Sequence, residues 1–267
     1  MTASPYRDPV VAEIYRRIAV PTHFVRPARD LVAMMNVAAA DSVLDVGAGT
    51  GALTTAASDA VGPSGLVVGV DRALAMLQAS DARHGRSRIV GEAPSLPFVN
   101  DVFDIVGASF VLAHCRNHRS ALADMARVGR SGGRIGITAW GPMPNEAGRL
   151  WKQIVDTYVD AEQLQEAFRA IVPWEEWFYE PSRLTDALAG AGLTNVRCAT
   201  REYTIEIRPG DYVAMKQAGV EGRLIRQLAG EAAWTDFTGQ VETAFQTRFP
   251  NAITFVRDVH FGVGAKR

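Results

Sequence analysis

The segment that most constrains the fold is Val43-Leu44-Asp45-Val46-Gly47-Ala48-Gly49-Thr50-Gly51. An apolar run containing one acidic residue leads into three glycines at alternate positions. Such a segment is typical of a buried strand that runs into a tight turn and then a helix. Glycines carry no Cβ, so their backbone N–H groups approach a ligand closely. The segment therefore predicts a small-molecule site at the end of a strand.

A second acidic residue indicates that the ligand contains a nucleoside. Asp71 closes the next apolar run and lies 20 residues after Gly51. That spacing is typical of a carboxylate that binds ribose hydroxyls. The loop that starts at Gly47 fits G-x-G-x-x-A, a dinucleotide fingerprint, and it also fits D-x-G-x-G-x-G counted from Asp45. Read alone, the loop leaves two cofactors open.

Strands and helices alternate along the first half of the chain. Apolar strands without polar alternation indicate a parallel sheet covered on both faces, with right-handed crossovers. The predicted strands are Ser42–Val46, Leu66–Val70, Ser87–Val90, Phe103–Ser109, Arg134–Ala139, Val196–Ile207 and Ile253–Gly264. The predicted helices are Val10–Ile18, Pro27–Asn36, Leu53–Ala60, Ala73–Ser80, His118–Val128, one or two over Asn145–Ala170, Pro181–Ala191 and most of Asp211–Phe249.

This order predicts an α/β fold: a Rossmann-like, doubly wound, mostly parallel seven-stranded sheet with an antiparallel C-terminal edge strand and a helical cap. Residues 1–40 are expected to form N-terminal helices over the active site, and residues 41–140 the nucleoside-binding core. Residues 141–267 are expected to add helical lid insertions and the last strands to the same domain. The 267 residues suit one domain of this kind.

Composition argues against several other classes of protein. Lys and Arg number 28 and Asp and Glu 29, a net charge of −1 that lacks the basic footprint of a nucleic-acid-binding protein. Two cysteines are too few for a disulfide framework and favour a cytoplasmic setting. Met1–Asp8 lacks the apolar core of a signal peptide, and no apolar run approaches the roughly 20 residues that span a bilayer. We expect a small-molecule substrate, no metal, and a monomer or homodimer.

Several motifs together resemble those of class I S-adenosylmethionine-dependent methyltransferases. The matching segments are Asp45–Gly51 (motif I), Gly69–Leu77 (the post-I segment), Gly91–Phe98 (D-A-x-x-L-P-F, with Glu92 for Asp), Phe103–Leu112 (motif IV) and Leu122–Gly133 (the helix and turn before strand five). Their spacing also matches, over roughly residues 40–140. The resemblance is to the small-molecule (type 11) group that includes the ubiquinone and menaquinone biosynthesis methyltransferases. It implies S-adenosylmethionine as cofactor and S-adenosylhomocysteine as product.

The resemblance also implies a role for individual residues. The cofactor-binding positions are Asp45, Gly47, Ala48, Gly49, Gly51, Asp71, Arg72, Met76, Glu92, Ala93, Ser109 and Phe110. In chain order they face the methionine part, the ribose, the adenine and the sulfonium. Asp45 is expected to orient the ammonium group and Asp71 to accept both ribose hydroxyls. The alternatives are structural, because an acid at a strand end also caps the next helix.

Methyl transfer needs proximity, alignment and exclusion of water more than covalent help. A general base assists when the acceptor must lose a proton, and His114, just past the fourth strand, is the candidate; His118 and His23 are weaker ones. Cys115 has no partner with metal-ligand or nucleophile spacing, which favours packing. The candidate substrate-binding residues are Tyr15, Phe24, His114, Trp140, Trp174 and Trp177. For the two tryptophans in the Pro173–Glu180 segment, the alternative is that they pin the lid to the domain.

The sequence therefore predicts an enzyme that moves a methyl group to oxygen, carbon or nitrogen of a small apolar metabolite, aromatic or isoprenoid-like, in secondary metabolism. One alternative is a protein that binds S-adenosylmethionine without transferring methyl, as a cyclase-like enzyme or an accessory subunit. Another is an NAD-dependent oxidoreductase. The acceptor itself is not identified by any residue pattern.

Overall fold

The computed structural model describes residues 5–80 and 87–267. Its strands are β1 (Ser42–Val46), β2 (Leu66–Asp71), β3 (Ser87–Val90), β4 (Phe103–Ser109), β5 (Gly129–Trp140), β6 (Thr194–Ile207) and β7 (Ile253–Ala265). The α-helices are α1 (Pro9–Ile14), α2 (Val25–Met34), α3 (Ala52–Val61), α4 (Leu74–Ala79), α5 (His118–Val128), α6 (Glu146–Val155), α7 (Ala161–Ile171), α8 (Ser182–Gly190), α9 (Pro209–Ala218), α10 (Val220–Ala229) and α11 (Glu231–Arg248). Short 3₁₀ turns lie at Pro5–Arg7, Leu112–His114 and Trp177–Tyr179.

The strands form one mixed sheet in the order β3-β2-β1-β4-β5-β7-β6. Strands β1 to β5 run parallel to one another, and β7 is antiparallel to both β5 and β6. This confirms the predicted α/β class and the mostly parallel seven-stranded sheet. Within it, the C-terminal strand lies one position in from the edge, and β6 forms the edge itself.

Helices cover both faces of the sheet, as expected for strands that are apolar on both sides. On one face α2 and α3 pack over β1 and β4, with Leu31 and Met35 fully buried. On the other face α5 and α8 pack through Leu122 and Leu188. A Cβ on Gly136 of β5 would lie 2.4 Å from the Met35 sulfur, so the missing side chain lets α2 approach the sheet.

The N-terminal helices differ from the prediction. Two separate helices with a break between Ile18 and Pro27 were expected, but α1 and α2 are joined by a π-helical segment, Tyr15–Phe24. Pro21 lies inside it and has no N–H to donate, while the Thr22 hydroxyl donates to the Ile18 carbonyl at 2.5 Å. The Thr22 hydroxyl thus adds a side-chain hydrogen bond next to the position where Pro21 cannot donate, and the chain stays helical.

The lid is built from helices that follow β5 and β6. Helices α6, α7, α9, α10 and α11 share a separate buried cluster with the far ends of β6 and β7, centred on Trp151, Tyr212, Phe237 and Phe245. In register, Trp140 at the end of β5 pairs with Val259, so β7 continues past β5 for six residues to Ile253. This overhang of β7, residues 253–258, carries side chains beyond the carboxyl ends of the parallel strands. None of the helices in the described ranges is both long and apolar enough to cross a membrane.

Candidate active site

The glycine loop is held against the end of β2. The N–H groups of Gly47 and Ala48 both donate to the Val70 carbonyl, at 2.7 and 2.9 Å. Gly47 has φ +70°, and a Cβ there would lie 2.4 Å from Val111 Cγ2. The loop therefore needs glycine for its backbone conformation and for its contact with the turn after β4. Gly51, with φ +94°, begins α3.

Asp71 connects the loop with the end of β2. Its Oδ2 accepts the Gly49 N–H at 2.8 Å and its Oδ1 accepts the Ala73 N–H at 2.8 Å. Burial raises the pKa of this carboxyl, while the two backbone hydrogen bonds lower it. A carboxylate oxygen has two lone-pair directions, so each Asp71 oxygen keeps one for a ligand hydroxyl. The helix-capping alternative and the ribose role are compatible in this geometry.

Asp45 has a different environment. Its carboxylate is 2% exposed and accepts the Thr54 hydroxyl of α3 at 2.6 Å. Burial raises its pKa to about 7, against the lowering effect of hydrogen bonds from Thr54. The hydrogen bond from Thr54 thus ties β1 to α3, as the structural alternative predicts, and the orientation of a ligand ammonium group by Asp45 stays a prediction.

The residues predicted to flank an adenine lie beside the loop. Arg72 Nη1 lies 3.8 Å from Glu92 Oε2, and both side chains are exposed at the rim. Met76 is buried beneath the loop, where a Cβ on Gly49 would lie 3.6 Å from its Cε. The structure thus brings β2, α4 and the 92–93 segment to one rim of the site.

The end of β4 is fixed by Thr138 of β5. Ser109 Oγ lies 3.1 Å from Thr138 Oγ1, and the Phe110 N–H donates to the same oxygen at 3.0 Å. Phe110 has φ +60°, an uncommon conformation for a bulky residue. Held this way, its ring stacks on Trp140 at 3.9 Å between centroids with planes 19° apart.

Four predicted residues form one aromatic wall: Tyr15, Phe24, Phe110 and Trp140. Tyr15 stacks on Phe24 at 5.1 Å, and Phe24 meets Phe110 at 5.3 Å and Trp140 at 5.5 Å. Burial raises the pKa of Tyr15 well above its ordinary value, so the phenol is neutral. The π-helical segment therefore brings its rings onto the carboxyl ends of β4 and β5.

His114 lies next to this wall. Its ring contacts Tyr6 edge-on at 5.7 Å, and its Nδ1 is buried with no hydrogen-bond partner among the described residues. Burial, with a smaller effect of Arg72, lowers its pKa to about 4. The imidazole is therefore neutral at physiological pH, with a free nitrogen.

Trp174 and Trp177 do not join the aromatic wall. They pack around His118 at 4.5 and 4.7 Å, together with the buried Phe178. The Trp174 N–H donates to the Arg116 carbonyl at 3.4 Å. Their position favours the pinning role over the predicted substrate contact, because the rings hold the lid on α5. His118 is enclosed there as well, away from the glycine loop.

Two residues at the site were not predicted from the sequence. Tyr6 lies by His114, and burial raises its pKa to about 12. The Thr50 hydroxyl is buried in the glycine loop without a partner among the described residues. Of these two, only Thr50 could have been found, since it lies inside the motif.

His23, the weaker candidate base, is also buried. Burial together with Arg257 lowers its pKa to about 3, so its imidazole is neutral at physiological pH.

Cys115 behaves as a packing residue. Burial raises the pKa of its thiol to about 11, and its Sγ lies 3.7 Å from the Val111 carbonyl oxygen. Within residues 5–80 and 87–267, no group of three His, Cys, Asp or Glu side chains is arranged to hold a metal ion.

Comparisons with known proteins agree with the motif analysis. Residues 44–137 match the family described as "Methyltransferase domain". Nocamycin O-methyltransferase of Saccharothrix syringae is 30% identical over 264 residues, which cover 86% of this chain and 92% of that protein. The ubiquinone/menaquinone biosynthesis C-methyltransferase UbiE of Burkholderia mallei is 35% identical over 137 residues, 48% of this chain and 51% of that protein.

Solved structures show the same fold at low sequence identity. A protein described as a methyltransferase from an antibiotic biosynthesis pathway of Anabaena variabilis has a TM-score of 0.61 and 12% identity, and the match covers 91% of this chain and 98% of that one. At this identity the likeness shows the fold alone.

Proposed function

Because this chain belongs to the class I S-adenosylmethionine-dependent methyltransferases of small molecules, we propose that it methylates a small, largely apolar metabolite with an aromatic or isoprenoid-like body. The observation that carries the proposal is the aromatic wall at the ends of β4 and β5, next to the glycine loop and Asp71. The wall offers flat apolar surface, and polar groups stand at its edges.

The residues around the glycine loop fit the cofactor. Asp71 offers free lone pairs where ribose hydroxyls are expected, and the orphaned Thr50 hydroxyl offers a polar group inside the loop. Arg72 and Glu92 mark the rim for the adenine. Bound there, S-adenosylmethionine supplies a methyl group already activated by its sulfonium. The protein holds and orients the two reactants and excludes water from them.

Phe110 and Ser109 are the positioning groups that we assign to the methyl-transfer end. Thr138 holds both, so a ring and a hydroxyl stand at the mouth of β4 in a defined orientation. Phe110 is locked in its uncommon conformation by two acceptors on Thr138, the hydroxyl and the carbonyl. Such pre-organisation supports alignment of an acceptor atom without a moving part.

His114 is the residue that we assign as proton acceptor where the substrate needs one. Its neutral imidazole and unpartnered Nδ1 support that role. A pKa of about 4 makes it a weak base, suited to an acceptor that loses its proton easily. Oxygen acceptors fit this condition best, and the relative aligned over most of its length is an O-methyltransferase by name.

The proposal is tested with purified protein and isotopically labelled S-adenosylmethionine. Calorimetry is expected to show S-adenosylhomocysteine binding at micromolar concentrations, and NADH none. A screen of aromatic and isoprenoid hydroxy compounds and acids is expected to yield a labelled product for at least one compound, and none with Phe110→Ala. Cofactor binding without any labelled product would favour the non-methylating alternative, and no cofactor binding would refute the proposal.

A further inference from the structure

Arg257 lies on the overhang of β7, above the aromatic wall. Its guanidinium Cζ is 3.8 Å from the centre of the Trp140 ring, on which Phe110 also stacks. Its backbone pairs with Tyr203 of β6, past the last residue of β5. The side chain therefore extends from the overhang of β7, beyond the end of β5, into the region that we assign to the methyl acceptor.

Arg257 forms no ion pair in the described part of the chain. Within those residues the guanidinium makes no ion pair and no hydrogen bond, and its Nε is buried without a partner. Other enclosed cations there are paired: Lys216 with Glu221, and Arg127 with Asp124. An unpaired charge away from water is strongly unfavourable, which makes an unpaired guanidinium at a binding site notable.

Most of the side chains around Arg257 carry a hydrogen-bond donor and no negative charge. Those close enough to influence its charge are Glu175, Tyr179, Tyr212 and Tyr15. Burial raises the pKa of each of the three phenols, so all are neutral donors at physiological pH. Glu175 is the one acid among them; burial raises its pKa and the charge of Arg257 lowers it, yet the two residues make no ion pair in the described structure.

Arg257 itself stays charged. Burial lowers its pKa to about 10, and the neighbouring groups oppose that effect. At neutral pH the guanidinium is therefore protonated, and around it lie neutral phenols, one acid that is not ion-paired with it, and the face of Trp140. This is a positively charged, incompletely satisfied site beside flat apolar surface.

We propose that Arg257 binds an ionised oxygen acid, of the carboxylate or enolate class, on the methyl acceptor, so that the substrate of this enzyme is an organic acid with an apolar body. The guanidinium fork matches a carboxylate in two parallel hydrogen bonds. Trp140 and Phe110 then pack on the apolar body. This inference rests on the proposed function and narrows its substrate class.

The test compares acids with their uncharged amides. The probes are 2-naphthoate, cinnamate and geranate, each beside its primary amide, titrated calorimetrically into protein saturated with S-adenosylhomocysteine at pH 7.5. We expect at least one acid to bind the wild type about tenfold or more tightly than its amide. Arg257→Met is expected to abolish that preference, and Arg257→Lys to keep part of it.

Arg26→Met is the matched control. Arg26 also lies over an aromatic ring, 5.4 Å from the centre of Tyr203, but on the exposed side of α2, so its loss is expected to leave the preference intact. S-adenosylhomocysteine affinity, measured on every variant, reports folding and the cofactor site separately. If the wild type binds cofactor but prefers no acid, or if Arg257→Met keeps the preference, the inference is wrong while the proposed function stands. Failure of the wild type to bind cofactor would remove the proposed function itself.

Discussion

Among single residues, Asp71 gives the clearest test of the proposed cofactor site. Its carboxylate joins the glycine loop to β2, and we propose that its remaining lone pairs accept ribose hydroxyls. Loss of charge-assisted hydrogen bonds costs about 1.5–3 kcal/mol, so Asp71→Ala is expected to weaken S-adenosylhomocysteine binding roughly 10- to 150-fold in calorimetry. Asp186→Ala, an exposed acid of α8, is the control. Unchanged affinity in Asp71→Ala would refute the ribose assignment.

Gly47 tests the contact between the loop and the turn after β4. Gly47→Ala places a Cβ 2.4 Å from Val111 Cγ2, whereas Gly132, with a similar φ of +76°, has nothing within 4 Å. Both substitutions carry the left-handed backbone cost of about 1–2 kcal/mol, and the crowding at Gly47 adds about 1–3 kcal/mol. Urea unfolding measures the difference, and adding Val111→Ala is expected to recover part of it. Equal loss in both variants would contradict the contact.

Asp45 makes stability depend on pH. Its pKa is about 7 in the folded state and near 3.8 when unfolded, so the folded protein holds the extra proton between those values. The contribution of Asp45 to the free energy of unfolding therefore falls by up to about 4 kcal/mol as the pH rises from about 4 to about 7, and it stays constant above pH 7. In unfolding experiments without cofactor, Asp45→Asn is expected to lose less stability than the wild type over that range. The exposed control Asp186→Asn should retain the wild-type profile, and parallel curves for the wild type and Asp45→Asn would contradict the prediction.

The site residues that lie in or beside the motifs could be predicted from the sequence, because each follows directly on a strand and the carboxyl ends of the parallel strands meet at one edge of the sheet. Phe110 follows β4 directly, and Asp71 ends β2. Tyr6, in the 3₁₀ turn Pro5–Arg7, and Arg257, on the overhang of β7, reach the site from distant parts of the chain. Neither lies in a pattern, so only the tertiary fold reveals them.

At the scale of elements, the lid is attached through the aromatic residues around His118. Trp177 contacts His118 at 4.7 Å and Phe178 at 4.8 Å. Trp177→Ala is expected to lower the free energy of unfolding by about 2 kcal/mol, since a partly buried ring and its aromatic contacts are lost. S-adenosylhomocysteine affinity should be unchanged, because the ring of Trp177 contacts His118, Trp174, Phe178 and Arg183 and no residue of the glycine loop. Weaker cofactor binding at full stability would instead place Trp177 at the site.

Six of the seven strands were predicted to within two residues at each end, because their apolar runs are clear in the sequence. Strand β5 begins at Gly129, five residues before the predicted Arg134, since residues 129–133 are glycine-rich and polar and carry no apolar run. The N-terminal break was wrong, since π-helical hydrogen bonding leaves no period in the sequence that distinguishes it from a helix end at Pro21. The Asp211–Phe249 region resolves into three helices, with Gly219 and Gly230 at the boundaries. The glycines predict where these helices end, but they do not predict how the helices are oriented relative to one another.

At the scale of the molecule, β6 and β7 belong to the sheet and to the lid cluster at once. We therefore expect core and lid to unfold together in one calorimetric transition. S-adenosylhomocysteine at 100 times its Kd is expected to add about 2.7 kcal/mol and raise that Tm by roughly 5–10 °C. Two transitions, of which the cofactor moves only one, would contradict the single domain.

The position of β7 also bears on how the chain is made. Among the described residues, strand β6 pairs only with β7, and β7 leaves the ribosome after β1 to β6. Until β7 is made, β6 cannot join the sheet, while β1 to β5 can already pair. A chain cut before Ile253 therefore lacks two strands of the sheet rather than one and leaves the edge of β5 unpaired. Such a chain is expected to be cleaved by proteases faster than one in which β7 has paired.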